Sequence, residues 1–156
     1  MGETHYSPEE IKGMLQRYYD LPGMISAEFH AAREAAATLS AESSPAIRKF
    51  AEEELHGHMR CAGILATQNR FLHDAFFRMN PTEQQVIKYR FMGPKDPEHR
   101  RKGYRRPPWK VIEPLIGISD SRGKQIIRET IRRLSELPVE PITFESFGDH
   151  KKEEFS

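Results

Sequence analysis

Apolar positions recur three and four residues apart along this chain, in blocks that open on a polar cap followed by a proline. That pattern predicts a succession of helices. Ser7-Pro8-Glu9-Glu10 opens the first. The Ser7 hydroxyl can accept from a free backbone N–H, Pro8 fits the first helical position, and Glu10 completes a capping box. Ile11, Met14, Leu15 and Tyr18 follow on one face, and Pro22-Gly23 is expected to end or bend the helix. A second helix is expected over residues 24–39, with Ile25, Phe29, Ala32, Ala36 and Leu39 on one side and its alanines suited to close packing. After a polar link at 40–44, Ser44-Pro45 opens a third helix expected to reach about Met79. Its stripe includes Ile47, Phe50, Ala51, Leu55, Met59, Ala62, Leu65, Leu72 and Phe76, with Gly57 and Gly63 as weak points. A stripe this long needs partners, either the first two helices or a second copy of the chain, but no heptad pattern is sustained enough to predict a coiled coil. Asn80-Pro81-Thr82-Glu83 repeats the cap logic for a fourth helix, which Val86, Ile87, Tyr89 and Phe91 supply with apolar surface.

The most informative stretch is 109–137, WKVIEPLIGISDSRGKQIIRETIRRLSEL. It predicts a short helix, a tight turn at Gly117-Ile118-Ser119, and a longer basic helix. That is the layout of a helix-turn-helix, whose second helix can lie in the DNA major groove. Gly117 can take a positive φ without steric cost. Ile118 can fill the angle between the helices, and Ser119 or Asp120 can cap the second. Ile127, Ile131 and Leu134, with Ile126 and Thr130 beside them, make one apolar face. Ser121, Lys124, Gln125, Arg128 and Arg132 fall on the opposite face. Arg and Lys there can reach guanine edges or phosphates, and Gln125 can pair with adenine. A helix with one apolar and one basic face is also what any surface helix looks like. Two residues fit poorly. Pro114 removes a backbone bond from the first helix, at a cost of ~3 kcal/mol if much helix precedes it. Gly123 stands where an apolar anchor is usual, so the second helix is expected to pack loosely at its start.

Strand signals are confined to a short alternating stretch within 138–147 that holds two prolines, so the predicted class is all-α. The expected organisation is a helical part over 1–79, for oligomerisation or partner docking. The helix-turn-helix unit follows over 80–137, and an acidic, loosely ordered tail over 138–156.

Charge sharpens this picture. The net charge of +1 over 156 residues hides an asymmetry. Residues 1–85 carry 8 basic and 12 acidic side chains, residues 86–133 carry 14 and 5, and residues 134–156 carry 2 and 6. The excess of nine positive charges in the middle block is the electrostatic footprint of a phosphate-binding surface. Part of it lies in the loop 92–108, which contains four prolines and surrounds Tyr104 with Arg100, Arg101, Lys102, Arg105 and Arg106. Basic residues interleaved with an aromatic suit a phosphate backbone or a minor groove; a solvated charged loop is the plain alternative. Lys110 and the loop arginines are the expected phosphate contacts. Ser121, Lys124, Gln125, Arg128 and Arg132 are the expected contacts to bases or nearby phosphates.

The order NPTEQQVIKYRF, loop, WKVIEPLIGISDSRGKQIIRETIRRLSEL resembles the fourth region of bacterial sigma factors. The matching positions are Pro81, Glu83, Val86, Ile87, Arg90, Trp109, Ile112, Leu115, Ile118, Ser119 and Ile126. With the helices that precede it, the chain is similar to small phage-encoded regulators of the ArpU and RinA type, over roughly residues 45–137. The resemblance implies a sigma-like DNA-binding half, control of late or packaging genes, and RNA polymerase as a partner. Glu113, Pro114, Gly123 and the 92–108 loop depart from the family pattern.

Catalytic and metal chemistry find little support. His56, His58 and Cys61 do not close a site, because positions 56 and 58 point about 200° apart on a helix, and no CxxC or HExxH spacing is present. Glu52-Glu53-Glu54 has the look of a solvated acidic turn. No phosphate-binding glycine loop or nucleophile elbow occurs, so neither an enzyme nor a cofactor is expected. One cysteine excludes an internal disulfide. With no membrane-spanning apolar run and no signal-peptide pattern, a cytoplasmic location is expected. The expected function is a sequence-specific DNA-binding transcriptional regulator acting on double-stranded DNA, possible as a homo-oligomer. The rivals are a phage DNA-packaging recognition subunit, a protein-interaction adaptor, and RNA binding through the arginine-rich loop.

Overall fold

The computed structural model describes residues 4–41, 44–92 and 109–144. All regular structure among them is helical: α1 (Pro8–Arg17), α2 (Leu21–Ala41), α3 (Pro45–Arg78), α4 (Pro81–Ile87), α5 (Trp109–Ile116) and α6 (Asp120–Ser135). None of the described helices is long and apolar enough to cross a membrane.

Helix starts follow local chemistry. The Ser7 hydroxyl accepts from the Glu10 N–H at 3.1 Å and the Glu10 carboxylate accepts from the Ser7 N–H at 3.1 Å, a closed capping box. Asn80 and Glu83 repeat it at α4, at 2.8 and 3.2 Å. The break after α1 differs from expectation. The chain turns through one 3₁₀ turn at Tyr18–Asp20, and α2 begins at Leu21 with Pro22 in its first turn. A proline is at ease there because its missing N–H would have no helical partner. α4 ends by widening into a π-helical turn, Lys88–Met92.

The chain divides into two compact units that are not consecutive in sequence: Met1–Tyr19 with Phe71–Val139, and Asp20–Arg70 with Glu140–Ser156. In the first unit α6 is packed against α1, α4 and α5. Ile11, Met14 and Leu15 of α1 are fully buried. The N-terminal segment also clasps the end of the unit. The Val139 N–H donates to the Thr4 carbonyl at 2.9 Å, and His5 Nδ1 lies 3.0 Å from the Leu137 carbonyl. Tyr6 meets Phe71 edge to face. The division expected at Asn80 thus falls inside this unit, because α1 lies against the C-terminal helix.

The second unit is a helical hairpin. Ala32 and Ala35 of α2 pack on Leu55 and Met59 of α3, with Phe29, Ala36, Leu39 and Phe144 around them. His58 joins the helices, with Nδ1 2.7 Å from Glu28 and Nε2 3.4 Å from Glu54. Residues 140–144, expected to begin a loose tail, instead dock on α3. The Ile142 N–H donates to Thr67 Oγ1 at 2.8 Å, and Phe144 stacks edge to face on Phe29. Gly63 is what lets this segment approach: a Cβ there would sit 2.8 Å from the Ile142 carbonyl oxygen. The rest of the tail, 145–156, lies outside the described residues.

Candidate nucleic-acid interface

The candidate site is built on α5, α6 and the turn between them. Gly117 ends α5 at φ +68°, its N–H donating to the Glu113 carbonyl at 2.8 Å. Ser119 is the N-cap of α6, its hydroxyl accepting from the Arg122 N–H at 3.2 Å. Of the two candidate caps, it is Ser119 that serves. Val86, Trp109, Ile112 and Ile126 form the buried core, with Ile116, Ile118 and Ile127 packed around it. Ile118 therefore fills the corner between the helices.

Gly123 corrects an expectation. The start of α6 is not loosely packed, because the Trp109 indole occupies the place of a side chain at 123. A Cβ there would stand 2.3 Å from Trp109 Cζ3 and 2.5 Å from Cη2. The Trp109 ring thus fills the space that a side chain at 123 would occupy. The Arg90 guanidinium carbon stands 5.3 Å from the Trp109 ring centroid, within cation–π range.

Glu83 fixes α4 to α6. Its carboxylate accepts from the Thr130 hydroxyl at 2.8 Å and from the Arg133 guanidinium, while its other oxygen caps Asn80. Burial pushes the Glu83 pKa up. The hydrogen bonds from Thr130, Asn80 and Arg133, with the Arg133 charge, outweigh burial and leave it below the ordinary carboxylate value. Sequence reading assigned Glu83 to the cap alone. Its second role depends on residues 47 and 50 positions away, and no local signal announces them.

The outer face of α6 presents Ser121, Lys124, Gln125, Arg128 and Arg132, all exposed. Lys124 is paired with Asp120 at 3.0 Å, and Gln125 donates to Glu129 at 3.1 Å. Arg128 and Arg132 have no side-chain partner among the described residues. Arg122, absent from the expected contacts, is exposed at the start of the same helix. It lines an open groove with Asn80, Pro81, Thr82, Glu129 and Arg133. Its position one turn before Gln125 was available in the sequence. Lys110 lies on α5, but its side chain is outside the described residues, as are Arg100, Arg101, Arg105 and Arg106 of the expected loop contacts.

Among the described residues no group of three or more His, Cys, Asp or Glu side chains could hold a metal ion. No protein-family model, curated protein or solved structure matches the chain.

Proposed function

We propose that this protein is a sequence-specific DNA-binding regulator in which α5, the Gly117 turn and α6 act as a helix-turn-helix. The observation that carries the reading is the division of α6. One face is anchored by Trp109, Ile112, Ile126 and Glu83. The other holds Arg128 and Arg132 exposed and, among the described residues, without side-chain partners, beside Gln125 and Lys124. A helix packed on one face with exposed guanidiniums on the other suits insertion into a major groove, where Arg can take guanine O6 and N7 together. The positive block of residues 86–133 would supply the phosphate attraction. Arg122 joins the expected contacts as a phosphate ligand. The sigma-like order of the segments supports a regulator of the ArpU and RinA type, with late phage or prophage genes as its targets and RNA polymerase as its partner.

Selection from a pool of genomic duplex fragments, at low and moderate salt with single-stranded RNA as competitor, tests this. Enrichment of a few duplex sites that survive moderate salt is expected. Unselective binding, or displacement by the RNA, would sink the reading. Arg128→Ala is expected to lose about 1–3 kcal/mol at the preferred site and to relax discrimination there. Unchanged discrimination would remove Arg128 from base reading.

A further inference from the structure

α3 carries two stripes, and only one is buried inside the second unit; of the other, Glu54 reaches sideways to His58 at 3.4 Å. Ala51, Leu55, Met59 and Ala62 are buried. Ile47, Phe50, Glu54, Gly57, Cys61 and Ile64 form another line, advancing by alternate steps of three and four residues. That spacing keeps them on one side of the helix. This second line is open: Ile47 is 46% exposed, Phe50 64% and Ile64 53%. Cys61 is exposed, and a Cβ added at Gly57 would meet nothing within 4 Å.

The arrangement is self-complementary. Gly57 lies seven residues from Phe50 and seven from Ile64, about 10 Å along the axis each way. Glu53 and Arg60, also seven apart, share one flank of this line, and their midpoint lies within half a residue of Gly57. We propose that this face is a homodimer interface, in which α3 of two copies crosses antiparallel about a two-fold axis at Gly57. The two-fold sets Phe50 of each copy against Ile64 of the other. It also sets Glu53 against Arg60 of the second copy, twice. The glycine at the crossing lets the backbones come close. An isologous contact requires this kind of match of a surface with itself, and the charges pair only when the second helix runs antiparallel. The interface lies on α3 alone and does not depend on the DNA-binding reading of α6.

Sedimentation of the full chain at micromolar concentration is expected to give twice the 18.1 kDa of one chain. Phe50→Glu and Ile64→Glu should each return it to the single-chain mass with the helical circular dichroism unchanged, since both side chains are exposed. Glu53→Arg and Arg60→Glu should each weaken the dimer about tenfold, because like charges then face each other twice, and the double exchange should restore it. In a Cys61→Ser background, Gly57→Cys should oxidise to a covalent dimer and His56→Cys should not. A mass of 18.1 kDa at all concentrations, whether or not another protein is captured, overturns the proposal. So does a dimer that survives both glutamate substitutions. Neither result touches the DNA reading, which selection of duplex sites decides separately.

Discussion

Trp109 and Gly123 meet where α5 crosses α6, and each residue makes sense only with the other. Gly123→Ala would place a methyl group 2.3 Å from the indole, and the ring is enclosed by Val86, Ile112 and Ile126. The variant is expected to lose about 1–3 kcal/mol of stability, the usual cost of overpacking. Thermal unfolding followed by the fluorescence of this single tryptophan measures it, and an unchanged midpoint would contradict the packing. Glu83 makes a prediction in pH. Its folded pKa lies below the ordinary glutamate value, so its stabilisation is complete above that value. It is lost as the pH falls through the depressed pKa. Glu83→Gln should therefore be less stable than the parent at neutral pH, with the gap closing toward acid. Denaturant titrations at several pH values give that profile. A gap independent of pH would mean that the carboxylate charge is not what ties α4 to α6.

At the scale of the element, the caps behave as their residue types require. Ser7, Asn80 and Ser119 each accept from the N–H three residues on. These are local events, decided by one short side chain and the backbone beside it, which is why four residues of sequence suffice to foresee them. The Gly117 turn belongs with them. Its φ of +68° is a conformation that costs an L side chain about 1–2 kcal/mol, and nothing stands within 4 Å of the missing Cβ. Gly117→Ala is expected to lose about that amount through the backbone alone, as read by chemical denaturation, and Gly117→Asn less. An equal loss for both would point to a steric cause instead. His58 holds the α2–α3 hairpin in the opposite sense to Glu83. The Glu28 carboxylate, and then Glu54, raise its pKa against the desolvation that lowers it. Its contribution is present below the ordinary histidine value and fades as the pH rises through the raised one.

The whole molecule is arranged by contacts between distant parts of the chain. α1 lies against α6 although more than a hundred residues separate them. It buries Ile11, Met14 and Leu15, each worth about 2 kcal/mol of apolar burial. Together they rival the net stability of a small domain. Removing residues 1–19 should therefore abolish the cooperative melting of the first unit, which differential scanning calorimetry would show. A fragment confined to 80–137 should behave likewise. If that fragment melts cooperatively near the parent temperature, α1 is an accessory rather than a wall of the core.

The sequence by itself determined the helical class, five of the six helix starts, the tight turn at Gly117 and the outer face of α6. Each of these depends on residues within a turn or two of one another, where hydrogen-bond geometry and periodicity act directly. Tertiary structure decided the rest. It placed Trp109 where Gly123 has no side chain, and gave Glu83 its partners on α6. It laid residues 140–144 along Gly63 and Thr67, and brought α1 to the far end of the chain. It also separated the apolar positions of α3 into a covered stripe and an open one, which a single run of apolar residues had merged. Periodicity says that a helix has an apolar side. Which apolar side chains find a neighbour depends on chain segments brought together only by folding.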